Sequence, residues 1–536
     1  MQATLGPLAE AVEARLAAWR REQAVTRLWA KDPTLWFAEP TPELEDRLGW
    51  LDLPRAMRPQ VDDFRSFGEE IAAEGIERVL LLGMGGSSLA PEVFQRTFGN
   101  AAGFPSLTVV DSTHPDAIRR LDAAVDPGHT LFVVASKSGT TLETLSFFRH
   151  FWEHAAGSPA PGRRFVAITD PGSPLEGLAR ERGFRRIFLA PADVGGRFSA
   201  LSPFGLLPAA LIGHDPGRLL DAAARVADAS RTADAEAVAL GAILGEGARA
   251  GHDKLTFLAS PHLAATPDWI EQLIAESTGK DGRGIVPIAG EPATAAEVYG
   301  DDRLFVQLKL AGEDDRPSER LLDALAAAGQ PVVRLVLDEP FDLGGEVLRW
   351  EIATALAGAV LGIHPFNQPD VQLAKELARR AMAGDTAAPS PPGLPVDDDA
   401  LQEVFSAWLQ AAGRRDYLCV QAFLAPGEEV LRGLARLRHK LAATTRLATS
   451  VGYGPRFLHS TGQLHKGGPN SGLFLQLIDT PADDLPVPGA GHTFGQLIRA
   501  QADGDLAALT QRRRRALRVD LGRDAAAGLA KLVERF

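Results

Sequence analysis

Two short segments hold the residue types that grip a phosphate: Gly83-Met84-Gly85-Gly86-Ser87-Ser88 and Ser136-Lys137-Ser138-Gly139-Thr140-Thr141. Each follows an apolar run and precedes a stretch of helical periodicity. The glycines let backbone N–H groups approach an anion, and the hydroxyls add donors at a helix N-terminus. One such loop would read as an ordinary N-cap. Two at adjacent strand ends of one sheet predict a phosphate cradle, with Gly86 and Ser87 in the first loop and the hydroxyls of Ser136, Ser138, Thr140 and Thr141 beside Lys137 in the second. No Gly-Lys-Ser/Thr triplet closes either loop as a P-loop requires. Ser88 stands where a dinucleotide fingerprint needs its third glycine, so that cofactor is not expected.

Proton chemistry is offered by Glu276, four residues after Gln272 in Trp269-Ile270-Glu271-Gln272-Leu273-Ile274-Ala275-Glu276-Ser277-Thr278-Gly279-Lys280. A helix would put both side chains on one face, with Gly279 as its stop. A glutamate pushed toward neutrality by burial can move protons between carbons. Glu271 reads as a solvated carboxylate on the same helix. Arg197, in Val194-Gly195-Gly196-Arg197-Phe198-Ser199, offers a permanently charged guanidinium for an oxyanion.

The elements that must position these groups are α/β in grammar. Apolar runs at 78–83, 106–112, 130–136 and 163–170 alternate with helical stretches, as in a parallel sheet covered on both faces. A second unit is expected from the runs at 254–260, 284–290, 303–310 and 331–339, closed by a long apolar helix over about 343–362. The Pro- and Ala-rich stretch 383–400 reads as a linker. A third α/β-like unit follows, with runs at 417–425, 471–480 and 516–522. The expected division is an N-terminal helical segment (1–60), a phosphate-binding unit (61–245), a second unit with the acid–base residues (250–382), the linker, and a diverged C-terminal unit (401–536). Leu-Phe-Val-Gln-Leu-Lys-Leu at 304–310 and Leu-Phe-Leu-Gln-Leu-Ile-Asp at 473–479 suggest that the last two units are distant repeats.

The formal net charge of −13 over 536 residues argues against a nucleic-acid surface, while leaving room for a local phosphate pocket. Cys419 is the single cysteine, so no intrachain disulfide is expected, and its apolar setting reads as core. The N-terminus mixes charged and apolar residues and lacks a signal-peptide core, and no apolar run is long enough for a membrane span. A soluble cytoplasmic protein is the expectation.

These motifs resemble the sugar-isomerase (SIS) domains of the phosphoglucose isomerase family, over most of the chain from about 60 to 380 and more loosely beyond. The resemblance implies doubly wound parallel sheets in two SIS domains plus the third unit. It implies interconversion of glucose 6-phosphate and fructose 6-phosphate through a cis-enediolate, without metal or cofactor. Ser87, Ser136, Ser138 and Thr141 match the family's phosphate ligands, and Lys137 its loop lysine. Gly196 and Arg197 match its GGRxS turn, with Arg197 beside the enediolate oxygen. Gln272 and Glu276 match its Q-x3-E-S-x-G-K signature, with Glu276 as the proton shuttle. In Gly362-Ile363-His364-Pro365-Phe366-Asn367-Gln368-Pro369-Asp370-Val371-Gln372-Leu373-Ala374-Lys375, Gln368 matches a substrate-holding glutamine and Lys375 the lysine that assists ring opening. Read alone, this segment is a proline-rich helix entry with a surface lysine.

The stretch from Gly290 to Arg303, where the family's ring-opening histidine is expected, contains none. Phe457-Leu458-His459-Ser460-Thr461-Gly462-Gln463-Leu464-His465-Lys466 is similar to the run that carries it in bacterial members. That similarity extends to the isomerase half of fused transaldolase–phosphoglucose isomerase proteins. In the family the partner subunit of a dimer delivers this histidine, so the third unit is expected to stand in for the partner and supply His459 in cis. Monomer and homodimer are both compatible with this. His465, His492 and Tyr299 are lesser candidates for ring opening. His150 and His154 lie four apart on a helical stretch with no third metal ligand near them in sequence, and are read as packing residues. The alternative functions are a sugar-phosphate-sensing regulator, which would keep the phosphate loops and lose the acid–base groups, and an isomerase that also accepts mannose 6-phosphate.

Overall fold

The computed structural model describes residues 1–157, 159–382 and 392–536, without the side chains of residues 372–375, 379 and 381. Strand β1 (Gln2–Thr4) opens the chain. The first parallel sheet follows with β2 (Arg78–Gly83), β3 (Ser106–Val110), β4 (Thr130–Ala135), β5 (Phe165–Thr169) and β6 (Arg186–Leu189), in the order β3-β2-β4-β5-β6. The second sheet has β7 (Lys254–Ala259), β8 (Val286–Ile288), β9 (Arg303–Leu310) and β10 (Val332–Leu337), in the order β10-β9-β7-β8. The third has β11 (Leu394–Pro395), β12 (Tyr417–Phe423), β13 (Ala448–Tyr453), β14 (Gly472–Ile478) and β15 (Arg515–Asp520), in the order β11-β15-β14-β12-β13.

Numbered within each unit and setting aside β1 and β11, all three sheets run 2-1-3-4, and the first adds a fifth strand. The third unit therefore shares the topology of the other two. Because the first connection goes one way and the next goes the other, a crevice opens at the strand ends between strands 1 and 3. In the first sheet that crevice lies between β2 and β4, which lead into the two hydroxyl loops.

The core positions follow the sequence pattern. Leu80, Leu82, Phe132 and Val134 face one side of the first sheet, against Ile118, Phe147 and Phe151 of the covering helices. Val79, Leu81, Leu131 and Val133 face the other, in a core continuous with the second sheet and with Leu8, Trp19 and Trp50 of the N-terminal segment. The third unit has its own core around Leu418, Leu475 and Leu529. A seam containing Ala275, Ile288, Cys419, Leu464 and Phe474 joins it to the second unit.

Four elements differ from the sequence expectation. Residues 2–4 are not helix or loop but an antiparallel edge strand on β10, because β10 would otherwise leave its backbone unpaired. β6 and β13 were not anticipated, since β6 has only four residues and β13 is interrupted by Thr449, Ser450 and Gly452. Residues 394–395, inside the expected linker, pair with β15, and a helix begins at Leu401. Residues 383–391 of that linker lie outside the described residues.

Candidate active site

The two hydroxyl loops sit at the ends of β2 and β4. The first turns at Gly85–Ser87 into the Leu89–Phe98 helix, and the second enters the Leu142–Ala155 helix. Gly85 has φ +55°. A Cβ on Gly86 would lie 1.9 Å from Gly196 O, so this loop closes directly onto the arginine turn. In the second loop Ser138 Oγ and Thr140 Oγ1 lie 3.0 Å apart. Lys137 Nζ donates to Asp170 Oδ2 at 2.5 Å, and burial raises the Asp170 carboxyl.

A cavity of about 770 Å³ opens over these loops, and Gly86, Ser87, Lys137, Ser138, Thr140 and Thr141 form one end of it. Ser136 does not line it. This side chain is buried beneath the loop, where it meets Thr141 Oγ1 at 3.0 Å and accepts from Gly139 N at 3.2 Å. Its place is in the loop's framework, because a serine directly at the strand end points back into the sheet.

Gly196, Arg197, Gln272, Glu276 and Gln368 form the cavity's middle. Arg197 is only 2% exposed and binds two neighbouring motifs, the Glu276 helix and the Pro365–Gln368 segment. Its Nε donates to Ser277 Oγ at 2.8 Å, Nη1 to Gln368 Oε1 at 2.8 Å, and Nη2 to Pro365 O at 2.6 Å. Nη1 also lies 3.3 Å from Glu276 Oε1. Burial lowers the Arg197 pKa, and Glu276 opposes that change. Gln272 and Glu276 share one face of the Thr266–Thr278 helix, with Gln272 Nε2 donating to Glu276 Oε2 at 3.1 Å. Gln272 Oε1 is buried without a partner, so an acceptor is left for a bound hydroxyl.

The third unit supplies the remaining wall, through Leu458, His459, Lys466, Leu497 and Gln501. His459 O accepts from Gln272 Nε2 at 2.8 Å, which places the His459 turn directly on the glutamate helix. His459 Nε2 lies 2.9 Å from Glu143 Oε1 of the first unit. Gln501 Nε2 donates to the same oxygen at 2.7 Å, and Thr113 Oγ1 donates to Gln501 Oε1 at 2.8 Å. A carboxylate only accepts, so the His459 proton sits on Nε2 and Nδ1 is the basic nitrogen. Gln463 closes the seam, donating to Gly279 O at 3.0 Å and to Asp370 Oδ2 at 2.8 Å.

Several expectations are corrected here. Gly279 does cap its helix, at φ −76°, but its conformation is one any residue could adopt. Its glycine is required by the close approach of the third unit, where an added Cβ would lie 2.4 Å from Leu464 Cα. Glu271 is not fully solvated: it is half-buried, and desolvation pushes its carboxyl up to about 8 with Asp268 reinforcing the rise. His465 is core: it packs on Cys419 and Gln421, and burial holds its pKa well below the usual range. Neither His492 nor Tyr299 lines the cavity. Lys375 falls on the Val371–Met382 helix, but its side chain lies outside the described residues. His150 and His154 do have a third ligand-type neighbour, Asp122, on the adjacent helix.

Sequence reasoning passed over Glu143, Gln501 and Lys466. Glu143 had a signal, as the acid that immediately follows the hydroxyl loop at a helix start. Gln501 and Lys466, the latter paired with buried Asp505, had none.

The fold and this constellation of hydroxyl loops, buried arginine and paired acid–base groups define a phosphosugar-isomerase type of α/β protein. Residues 54–301 match the family model for phosphoglucose isomerase. A glucose-6-phosphate isomerase of Thermus thermophilus is 32% identical over 384 residues, covering 63% of this chain and 90% of that protein. One from Rubrobacter xylanophilus is 29% identical over 427 residues, covering 69% and 95%. Among solved structures, a hypothetical protein of Thermus thermophilus superposes with a TM-score of 0.61 at 29% identity, over 70% of this chain and 98% of that one. A glucose-6-phosphate isomerase from Chlamydia trachomatis shares the fold, with a TM-score of 0.54 at 19% identity, over 75% and 89%. The chain belongs to the phosphoglucose isomerase family.

Proposed function

We propose that this chain interconverts glucose 6-phosphate and fructose 6-phosphate by proton transfer through a cis-enediolate. The observation that carries this reading is the convergence of Glu276, Arg197 and His459, from three separate segments, on the one cavity that also holds the hydroxyl loops. Ser87, Ser138, Thr141 and Lys137 hold the phosphate. His459, oriented by Glu143, takes the proton from the hydroxyl at C1 as the C1–O5 bond breaks. Lys375, assigned by the family resemblance, returns a proton to O5.

Glu276 then removes the proton at C2 and delivers it to C1. Arg197, beside Glu276 in a water-poor setting, steadies the negative charge that develops on the enediolate oxygen. Gln272 and Gln368 hold the sugar hydroxyls. Every step uses side chains of this chain, and none calls on a metal or cofactor.

Because the third unit fills the place that a partner subunit takes in the family, a monomer is catalytically complete on this reading. A homodimer adds nothing to the site.

The test is a coupled assay of fructose 6-phosphate conversion, run on wild type and Glu276→Gln with and without EDTA, across a dilution series. The expected result is turnover in the wild type that ignores EDTA and enzyme dilution and is lost in the variant. Binding of fructose 6-phosphate without turnover in the wild type would replace the isomerase by a sugar-phosphate-sensing protein. Specific activity that collapses on dilution would replace cis delivery of His459 by a dimeric site.

A further inference from the structure

Outside the cavity, the strongest unexplained cluster lies on one face of the first sheet. The Pro115–Ala124 and Leu142–Ala155 helices cover that face side by side, because Ile118 of one and Phe147 and Phe151 of the other pack on Leu80, Leu82 and Phe132. Near their C-terminal ends the first helix presents Asp122. The second presents His150 and His154, one turn apart and therefore on one side.

The donor atoms of these three side chains all lie within 4.8 Å of one another. His150 Nε2 is 2.8 Å from Asp122 Oδ1 and 3.0 Å from Oδ2. His154 Nε2 faces the same Oδ1 at 3.7 Å, beyond hydrogen-bond reach. The two imidazole rings are 4.7 Å apart, centre to centre.

An ordinary histidine–aspartate hydrogen bond accounts for His150. It does not account for His154, which is one-third exposed and free to turn to water, yet aims its Nε2 at a carboxylate oxygen already in use. Two nitrogens and one oxygen gathered within 4.8 Å of one another offer three of the four ligands of a tetrahedral cation. With metal–ligand distances of about 2.0–2.2 Å, ligand atoms sit about 3.3 Å apart, between the two separations measured here.

We propose that Asp122, His150 and His154 form a divalent-cation site of the zinc class. Two imidazoles and a carboxylate suit Zn²⁺, Ni²⁺ and Cu²⁺ and disfavour Mg²⁺ and Ca²⁺, which demand oxygen. The side chains of Asp122 and His154 are partly open to solvent, giving the ion its entry path and leaving the fourth position to water. Binding displaces the proton of the His150–Asp122 hydrogen bond, since each imidazole must offer a lone pair.

None of the three residues lines the catalytic cavity, so the site is separate from the isomerase chemistry. Its effect is mechanical. The ion ties together two helices, one of which carries Glu143. The His150 ring also packs edge-on against Phe494, at the start of the helix that carries Gln501.

The test uses the full chain, stripped with EDTA and dialysed free of it. Zn²⁺ titrated by calorimetry should bind as one equivalent, and Co²⁺ should give the visible absorption of a tetrahedral centre. Zn²⁺ should raise the thermal midpoint of the wild type. In His154→Ala and Asp122→Asn the affinity should fall about tenfold or more, with the midpoint rise lost. Turnover of fructose 6-phosphate by His154→Ala should stay at the wild-type level, which shows that the variant is folded. Absence of a saturable equivalent in the wild type, or equal affinity in His154→Ala, would overturn the site.

Discussion

His459 Nε2 lies 2.9 Å from Glu143 Oε1, although 316 positions separate the two residues in the chain. The carboxylate belongs to the phosphate-loop helix of the first unit and the imidazole to the third unit, so their hydrogen bond spans the seam that builds the cavity. Replacing Glu143 by Ala removes the oxygen that accepts from both His459 Nε2 and Gln501 Nε2, so the ring loses the contact that fixes its tautomer and orientation. The expected outcome is a fall in kcat of about 10- to 100-fold with KM little changed. Exchange between the α and β anomers of glucose 6-phosphate, followed by NMR, should slow in parallel, because ring opening is the step affected. Unchanged anomer exchange would remove His459 and Glu143 from that step.

Three residues before His459, Arg456 ties the same turn to the first unit by pairing with Asp111, just beyond β3, and with Glu92 on the Leu89–Phe98 helix. Cutting this double contact lets the His459 turn drift. Arg456→Ala is expected to lower kcat about 10- to 100-fold. The affinity for inorganic phosphate, set by the loops of the first unit, should remain. Loss of phosphate binding as well would mean that Arg456 holds the unit's fold, not the turn.

The contact between the Gly83–Ser88 loop and the arginine turn leaves no room for a methyl group. Gly86→Ala would set its Cβ against Gly196 O, forcing apart the phosphate end and the Arg197 end of the cavity. A destabilisation of about 1–3 kcal/mol is expected, visible in denaturant titration, together with weaker fructose 6-phosphate binding. Wild-type KM and stability in this variant would show that the two turns are not mechanically joined.

Glu271 makes a prediction about pH. Its half-buried carboxyl is raised to about 8, chiefly by desolvation, with the neighbouring Asp268 carboxylate adding to the rise. The folded protein therefore holds protons that the unfolded chain has released above about pH 4.3, so stability falls as pH rises from about 4 toward 8. Glutamine cannot ionise. Glu271→Gln should match the wild type near pH 4 and exceed it at pH 8. The gain is about 1.4 kcal/mol for every tenfold difference in proton affinity between the folded and unfolded carboxyl. Parallel stability curves across this range would show that Glu271 is ionised in the folded protein.

By itself, the sequence determined the parts whose signals are local. Short near-continuous apolar runs bounded by turn residues, such as Thr130–Ala135, read as strands buried on both faces, and turn chemistry at their ends marks the phosphate loops. The spacing of Gln272 and Glu276 puts them on one helix face whatever surrounds them. Short strands were less legible: β13 alternates polar and small residues, and β1 is a strand only because β10 offers it an edge.

What the tertiary structure decided is who meets whom across the seam between the units. Nothing local distinguishes Gln501 from any other helical glutamine, and Gly279, legible as a helix stop, carries a second constraint from Leu464 of another unit that no local pattern shows. Glu271 looked solvated because its partial burial comes from the packing of distant segments around its helix. These are relations between segments hundreds of residues apart, fixed by how three sheets of the same topology pack against one another. A pattern confined to neighbouring residues carries no record of that packing.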